Sequence, residues 1–98
     1  MNFTFHPDAE NEFNEAIDYY TAIDSELGYD FALEVNSTIQ RSIEFPKTWP
    51  VIEGKVRRSL LKRFPYGILY RETLDANGIF IIAVMNLHRK PGYWKYRN

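Results

Sequence analysis

Residues 66–87 read YGILYRETLDANGIFIIAVMNL, and this stretch decides the fold. Two runs rich in branched and aromatic residues, 66–74 and 79–87, flank Asp75-Ala76-Asn77-Gly78. Such runs favour extended backbone, and Asn-Gly supplies the positive φ that a tight hairpin turn needs, so the pattern predicts two antiparallel strands. Residues 79–84 are apolar at both parities. A strand of that kind is buried on both faces, which places it inside the sheet rather than at its edge.

On the N-terminal side, residues 56–64 form a third strand candidate whose phase stays open. Val56, Leu60 and Phe64 share a face with Arg58 and Lys62, while Leu61 opposes them. The preceding stretch, 46–54, carries Pro46, Pro50 and Gly54 around Trp49 and reads as a loop. Further upstream the period changes from two to the helical one. Phe13, Ala16, Ile17, Tyr20 and Ile23 make one stripe, with Leu27-Gly28 as its stop. Phe31, Ala32, Val35, Ile39 and Ile43 make a second, ended by Phe45-Pro46, because proline cannot continue a helix. Asn2–Phe5 alternates polar and aromatic residues, and His6-Pro7-Asp8 reads as a strand end followed by a helix start. The expected architecture is α+β, in the order β-α-α-β-β-β, with an antiparallel sheet packed against a helical hairpin.

A length of 98 residues suffices for one hydrophobic core, so a single domain over 1–98 is expected. No apolar run reaches the length of a membrane span, no export signal opens the sequence, and there is no cysteine. A cytoplasmic location is therefore expected, and disulfide frameworks, zinc thiolate sites and thiol nucleophiles are excluded. The net charge of −1 hides a strong asymmetry. Residues 1–40 hold nine acidic side chains and no Lys or Arg, whereas residues 41–98 hold twelve basic and four acidic ones. A basic half gathered on one face attracts an acidic partner such as nucleic acid; the alternative is a set of solvated surfaces.

The element order, together with "EAIDYY" in the first helix, "VRRSLLKRFPYGILYRE" across the middle strands and "IIAVMNLHRKPGYWKYR" at the end, resembles the RelE/ParE family of toxins, in its plasmid-stabilisation branch. The likeness covers nearly the whole chain. It implies the toxin component of a type II toxin-antitoxin module, silenced by a cognate antitoxin protein. Some members of that family cleave ribosome-bound mRNA without a metal, and ParE-type members poison DNA gyrase. The position after Tyr66, often Arg in the RNA-cleaving members, is Gly67 here, and a middle-strand position that is often Lys falls near Leu60.

Metal-independent RNA cleavage needs convergent cations to hold the phosphate and a group that moves a proton. His88, Arg89 and Lys90 follow a buried strand, where a rigid scaffold can hold a proton-transfer group beside a phosphate clamp. The plainer alternative is that His88 caps the strand and Arg89 pairs with a helix carboxylate. Arg57, Arg58, Lys62 and Arg63 read as four cations on one strand, with Arg58 and Lys62 on one face. They serve either phosphate or antitoxin contact, or a charged sheet edge. Tyr93, Trp94 and Tyr96 alternate with Lys95 and Arg97, which suits stacking on unpaired bases or, equally, folding back onto the sheet. Tyr66 and Tyr70 share parity with Ile68 and read as core. Glu12, Glu15 and Asp18 read as solvated helix surface.

The catalytic candidates are thus His88, Arg89 and Arg58, and the RNA- or target-binding candidates are Lys62, Arg63, Lys90, Tyr93, Trp94 and Arg97. No cofactor and no metal are expected, since no phosphate loop, His-x-x-x-His pair or nucleophile elbow occurs. Three functions compete: an endoribonuclease acting on ribosome-bound mRNA, a non-enzymatic poison of DNA gyrase, and a non-toxic homologue that only binds its antitoxin. A homodimer is left open.

Overall fold

The computed structural model describes residues 2–98. The chain runs β1 (Asn2–Phe5), α1 (Pro7–Ile23), α2 (Ser25–Glu44), β2 (Val51–Glu53), β3 (Val56–Leu60), β4 (Tyr66–Glu72) and β5 (Gly78–Asn86), and ends in a short 3-10 turn at Lys95–Arg97. The five strands form one sheet in the order β1-β5-β4-β3-β2. This is the expected α+β arrangement of a helical hairpin against a sheet, but with one strand more than the expected β-α-α-β-β-β order: Val51–Glu53, within the stretch expected to be a loop, pairs with β3 as β2. Among the described residues no helix is long and apolar enough to cross a membrane.

The sheet is mixed rather than wholly antiparallel. β2 to β5 form an antiparallel meander, and β1 pairs with β5 in parallel, Asn2 opposite Gly78 and Phe5 opposite Ile81. Parallel neighbours need a long crossover; here the helical hairpin carries the chain from β1 to β2 at the far edge, and the meander brings it back to β5 beside β1. β5 therefore has a strand on each side, the interior place expected from its apolar sequence.

The two sheet faces bury different side chains. Tyr66, Ile68 and Tyr70 of β4 join Ile79, Ile81 and Val84 of β5 under the helices, with Phe31, Val35 and Ile39 of α2. Val56, Leu69, Ile82, Ala83, Met85 and Trp94 form a second core on the opposite face. A bulge opposite Leu69/Tyr70 changes the phase of β5, so that consecutive Ile82 and Ala83 both join this second core.

Three local expectations are corrected. Leu27-Gly28 does not stop the first helix but lies inside α2. The break falls at Asp24, whose backbone N–H donates to Tyr20 O and whose Oδ1 accepts from Glu26 N at 2.8 Å, so one residue closes α1 and caps α2. In the β4–β5 connection the positive φ (57°) belongs to Ala76, not to Asn77 or Gly78. Gly78 is needed for close approach: a Cβ there would lie 2.1 Å from the carbonyl oxygen of Asn2 on β1. Finally, β3 ends at Leu60, so Lys62 and Arg63 sit in the turn to β4 and four cations do not share a strand.

Candidate functional site

The C-terminal tail is held by a carboxylate of the first helix. β1 makes its last bond to β5 from His6 N to Ile81 O (2.9 Å), and beyond it that edge of β5 has no neighbouring strand. Buried backbone groups left there need partners, and side chains provide them. Val84 N donates to Glu12 Oε1 (3.0 Å), and Arg97 Nη1 donates to Ile82 O (3.2 Å). Glu12 Oε1 also accepts from Arg97 Nη1 at 2.9 Å. Its Oε2 accepts from the Tyr93 hydroxyl at 2.7 Å and from Arg89 Nη1 at 3.4 Å. The Glu12 side chain is 12% exposed and that of Arg97 6%, so this ion pair is largely removed from water. Four donors around one carboxylate offset the cost of burying the charges.

Electrostatics follow from that geometry. Burial, then the bond to Glu12, pushes the Tyr93 phenol well above its ordinary value and keeps it protonated. Burial works against the Arg97 charge, but the hydrogen bonds to Glu12 and Tyr96 outweigh it and raise its pKa. Asp8, at the start of α1, accepts a bond from the Tyr96 hydroxyl and lies 3.8 Å from Arg97 Nε. Those partners hold its carboxyl below the ordinary value, despite a smaller opposing effect of desolvation.

The expected catalytic trio does not gather. Arg89 is held against the helices by Glu12, its guanidinium carbon 3.7 Å from the centre of the Tyr93 ring, although its side chain remains 53% exposed. This is the plainer reading of Arg89, the pairing with a helix carboxylate. Arg58 points away from the helices, opposite Leu69 of the second core, and lines a groove that does not include Arg89. His88 is exposed in the turn after β5, its backbone N–H donating to Asn86 Oδ1.

Of the expected target-binding residues, Lys90 is exposed, and Lys62 and Arg63 sit beside α2. The backbone N–H groups of Lys62 and Arg63 both donate to Glu34 Oε2, and the Arg63 side chain lies 3.5 Å from Asp30. Trp94 is 5% exposed in the second core, which leaves no ring face for a base; it folds back onto the sheet, and Tyr93 is half-buried beside it. Arg97 is buried on Glu12 and therefore presents no free charge to a phosphate. Glu12 itself is the residue that sequence reading missed by grouping it with Glu15 and Asp18 as solvated surface.

The groove around Arg58 holds about 330 Å³ between β2, β5 and the tail. The Arg58 stem runs over Gly67, where a Cβ would come within 3.1 Å of Arg58 Cγ, so the absence of a side chain at 67 makes room for it. Met85 and Trp94 form apolar walls, and Lys95 Nζ bridges to Glu53 Oε1 at 3.1 Å across the rim. Among the described residues no carboxylate pairs with Arg58. The lining contains no His or Tyr, and its one carboxylate, Glu53, is paired with Lys95. The arrangement can hold an anion beside an apolar surface; a poised proton-transfer group is not among the lining side chains. Among the described residues no three His, Cys, Asp or Glu side chains gather to hold a metal ion.

Set against known proteins, the chain matches no family model and no curated protein.

Proposed function

We propose that this chain is the toxin component of a type II toxin-antitoxin module, that it works in the cytoplasm, that a cognate antitoxin protein neutralises it, and that it inhibits growth by binding its target rather than by cutting RNA. The toxin reading rests on the resemblance of the sequence to the RelE/ParE family, and the helical hairpin on a strand meander agrees with it. One observation carries the preference for binding. Glu12 engages Arg89, one of the three catalytic candidates, together with Arg97 and Tyr93, so these groups are turned to the helix rather than offered to a phosphate, and the other two candidates, His88 and Arg58, do not gather with them. DNA gyrase, the target of ParE-type members, is the binding partner this reading favours.

A second reading, cleavage of ribosome-bound mRNA, has one observation in its favour. The Arg58 stem lies over Gly67, the strand position where the RNA-cleaving members often carry Arg, and among the described residues no carboxylate pairs with its guanidinium. The experiment is inducible expression in a bacterial host, with and without a candidate antitoxin, taken as any small open reading frame found neighbouring the gene. The proposal expects growth arrest that the neighbour relieves. Normal growth under strong expression without the neighbour would overturn the toxin reading and leave a non-toxic antitoxin-binding homologue.

A further inference from the structure

A second groove, of about 750 Å³, lies where the β2–β3 and β4–β5 hairpins meet. Lys47, Lys55, Arg57 and Arg71 line it against one carboxylate, Glu72, in a protein whose net charge is −1. Glu72 is taken by Lys47 at 3.0 Å, and among the described residues Lys55, Arg57 and Arg71 have no carboxylate partner.

Both guanidinium groups are oriented by neutral acceptors. Arg57 Nη1 donates to Trp49 O (2.6 Å) and Lys47 O (3.3 Å). Arg71 uses Nε on Asn98 Oδ1 (3.1 Å) and Nη1 on Glu72 O (3.3 Å), with its guanidinium carbon 4.9 Å from the Phe80 ring centre. Such bonds fix the forks without neutralising them, and a pre-oriented, unpaired guanidinium is a carboxylate or phosphate receptor with little ordering cost.

The rest of the lining selects between those anions. No aromatic ring faces the groove, so a single-stranded nucleic acid would find no stacking platform. Leu74, 98% exposed, and Val51, 46% exposed, stand there instead, two apolar side chains open to solvent. Val51 belongs to β2, the last strand in the sheet order, whose outer backbone groups have no strand beside them. We propose that this groove docks an extended acidic segment of a partner protein, its carboxylates on Arg57, Arg71 and Lys55 and an apolar side chain against Leu74. The site does not depend on the toxin reading, because it is argued from its own charge and exposure and shares no residue with the Glu12 cluster or the Arg58 groove.

The test uses the full chain and a short fluorescein-labelled peptide of alternating glutamate and leucine, followed by anisotropy and by amide shifts in the wild-type protein. The expected result is salt-sensitive binding with shifted amides gathered at Lys55, Arg57, Arg71 and Leu74. Lys55→Glu should weaken it about tenfold, while Arg41→Glu on α2, outside the groove, leaves it unchanged. The wild-type shift map decides the matter even if Lys55→Glu fails to fold. Shifts confined to other surfaces, equal affinity in a folded Lys55→Glu variant, or preference of the groove for a single-stranded oligoribonucleotide over the peptide would overturn the proposal.

Discussion

Glu12 and Arg97, 85 residues apart in the chain, meet at 2.9 Å and together occupy the stretch of β5 edge that β1 is too short to cover. The contact joins the acidic first helix to the end of the basic half. It also uses the bonding capacity of a tail that, read as sequence, looked available for nucleic acid.

Glu12→Gln should therefore destabilise the protein far more than its place on a helix surface suggests. It removes the nearer and more buried of the two carboxylates on Arg97, leaving only Asp8 at 3.8 Å, a loss worth about 3 kcal/mol. Glu15→Gln, three residues on and exposed, should stay within about 0.5 kcal/mol. Urea unfolding of the two variants checks the contrast; equal, small effects would show that the tail is held by Trp94 packing alone.

The backbone around the β4–β5 turn gives a pair of opposite effects. Gly78→Ala brings a methyl group onto the Asn2 carbonyl and should cost about 2 kcal/mol as β1 is pushed from β5. Ala76→Gly relieves a positive φ and should stabilise by about 1 kcal/mol. Thermal unfolding of both variants reads the signs directly.

Much of this fold was legible because hydrophobic period and burial agree. β5 reads as interior because it is apolar at both parities, and the structure buries it on both faces. Asn77-Gly78 marks the hairpin correctly but not its positive φ, because a nearby strand, not the turn, demands the glycine. Gly28 is the more visible stop for α1 in the sequence, because Asp24 caps through its side chain, a signal that competes poorly with glycine. Glu12 had a signal that went unused: it lies between Ala9 and Ala16 at helical spacings of three and four, and both alanines are buried. A carboxylate inside such a stripe needs a partner, and the partner, Arg97, could not be chosen from spacing across so many intervening residues.

Alkaline stability should depend on Tyr93. Its folded pKa is raised by burial and by Glu12, so its contribution is complete below the unfolded value near 10 and is lost as pH rises through the folded one. Tyr93→Phe should shift the alkaline unfolding midpoint upward, and a spectrophotometric titration should find Tyr20 and Tyr70, also raised by burial, ionising late. Asp8 acts at the other end. Its depressed pKa stabilises above 3.8, and that contribution fades as pH falls through the folded value, loosening the Tyr96 contact.

Arg89→Ala and His88→Ala separate stability from action. Arg89 is half in water, so its pair with Glu12 should contribute no more than about 1 kcal/mol. His88 has no side-chain role in the binding account. Both variants are expected to arrest growth as the unaltered chain does, which an inducible growth curve records; a loss of arrest in either, with the fold intact by circular dichroism, would restore these residues to a catalytic role.

The most direct test places the purified protein in two reactions side by side: gyrase acting on supercoiled DNA, and ribosomes translating a defined mRNA without its antitoxin. Accumulation of broken DNA held by gyrase, with the mRNA intact, is the result expected of a toxin that acts by contact. Metal-independent cuts in the mRNA, with gyrase unaffected, would contradict it.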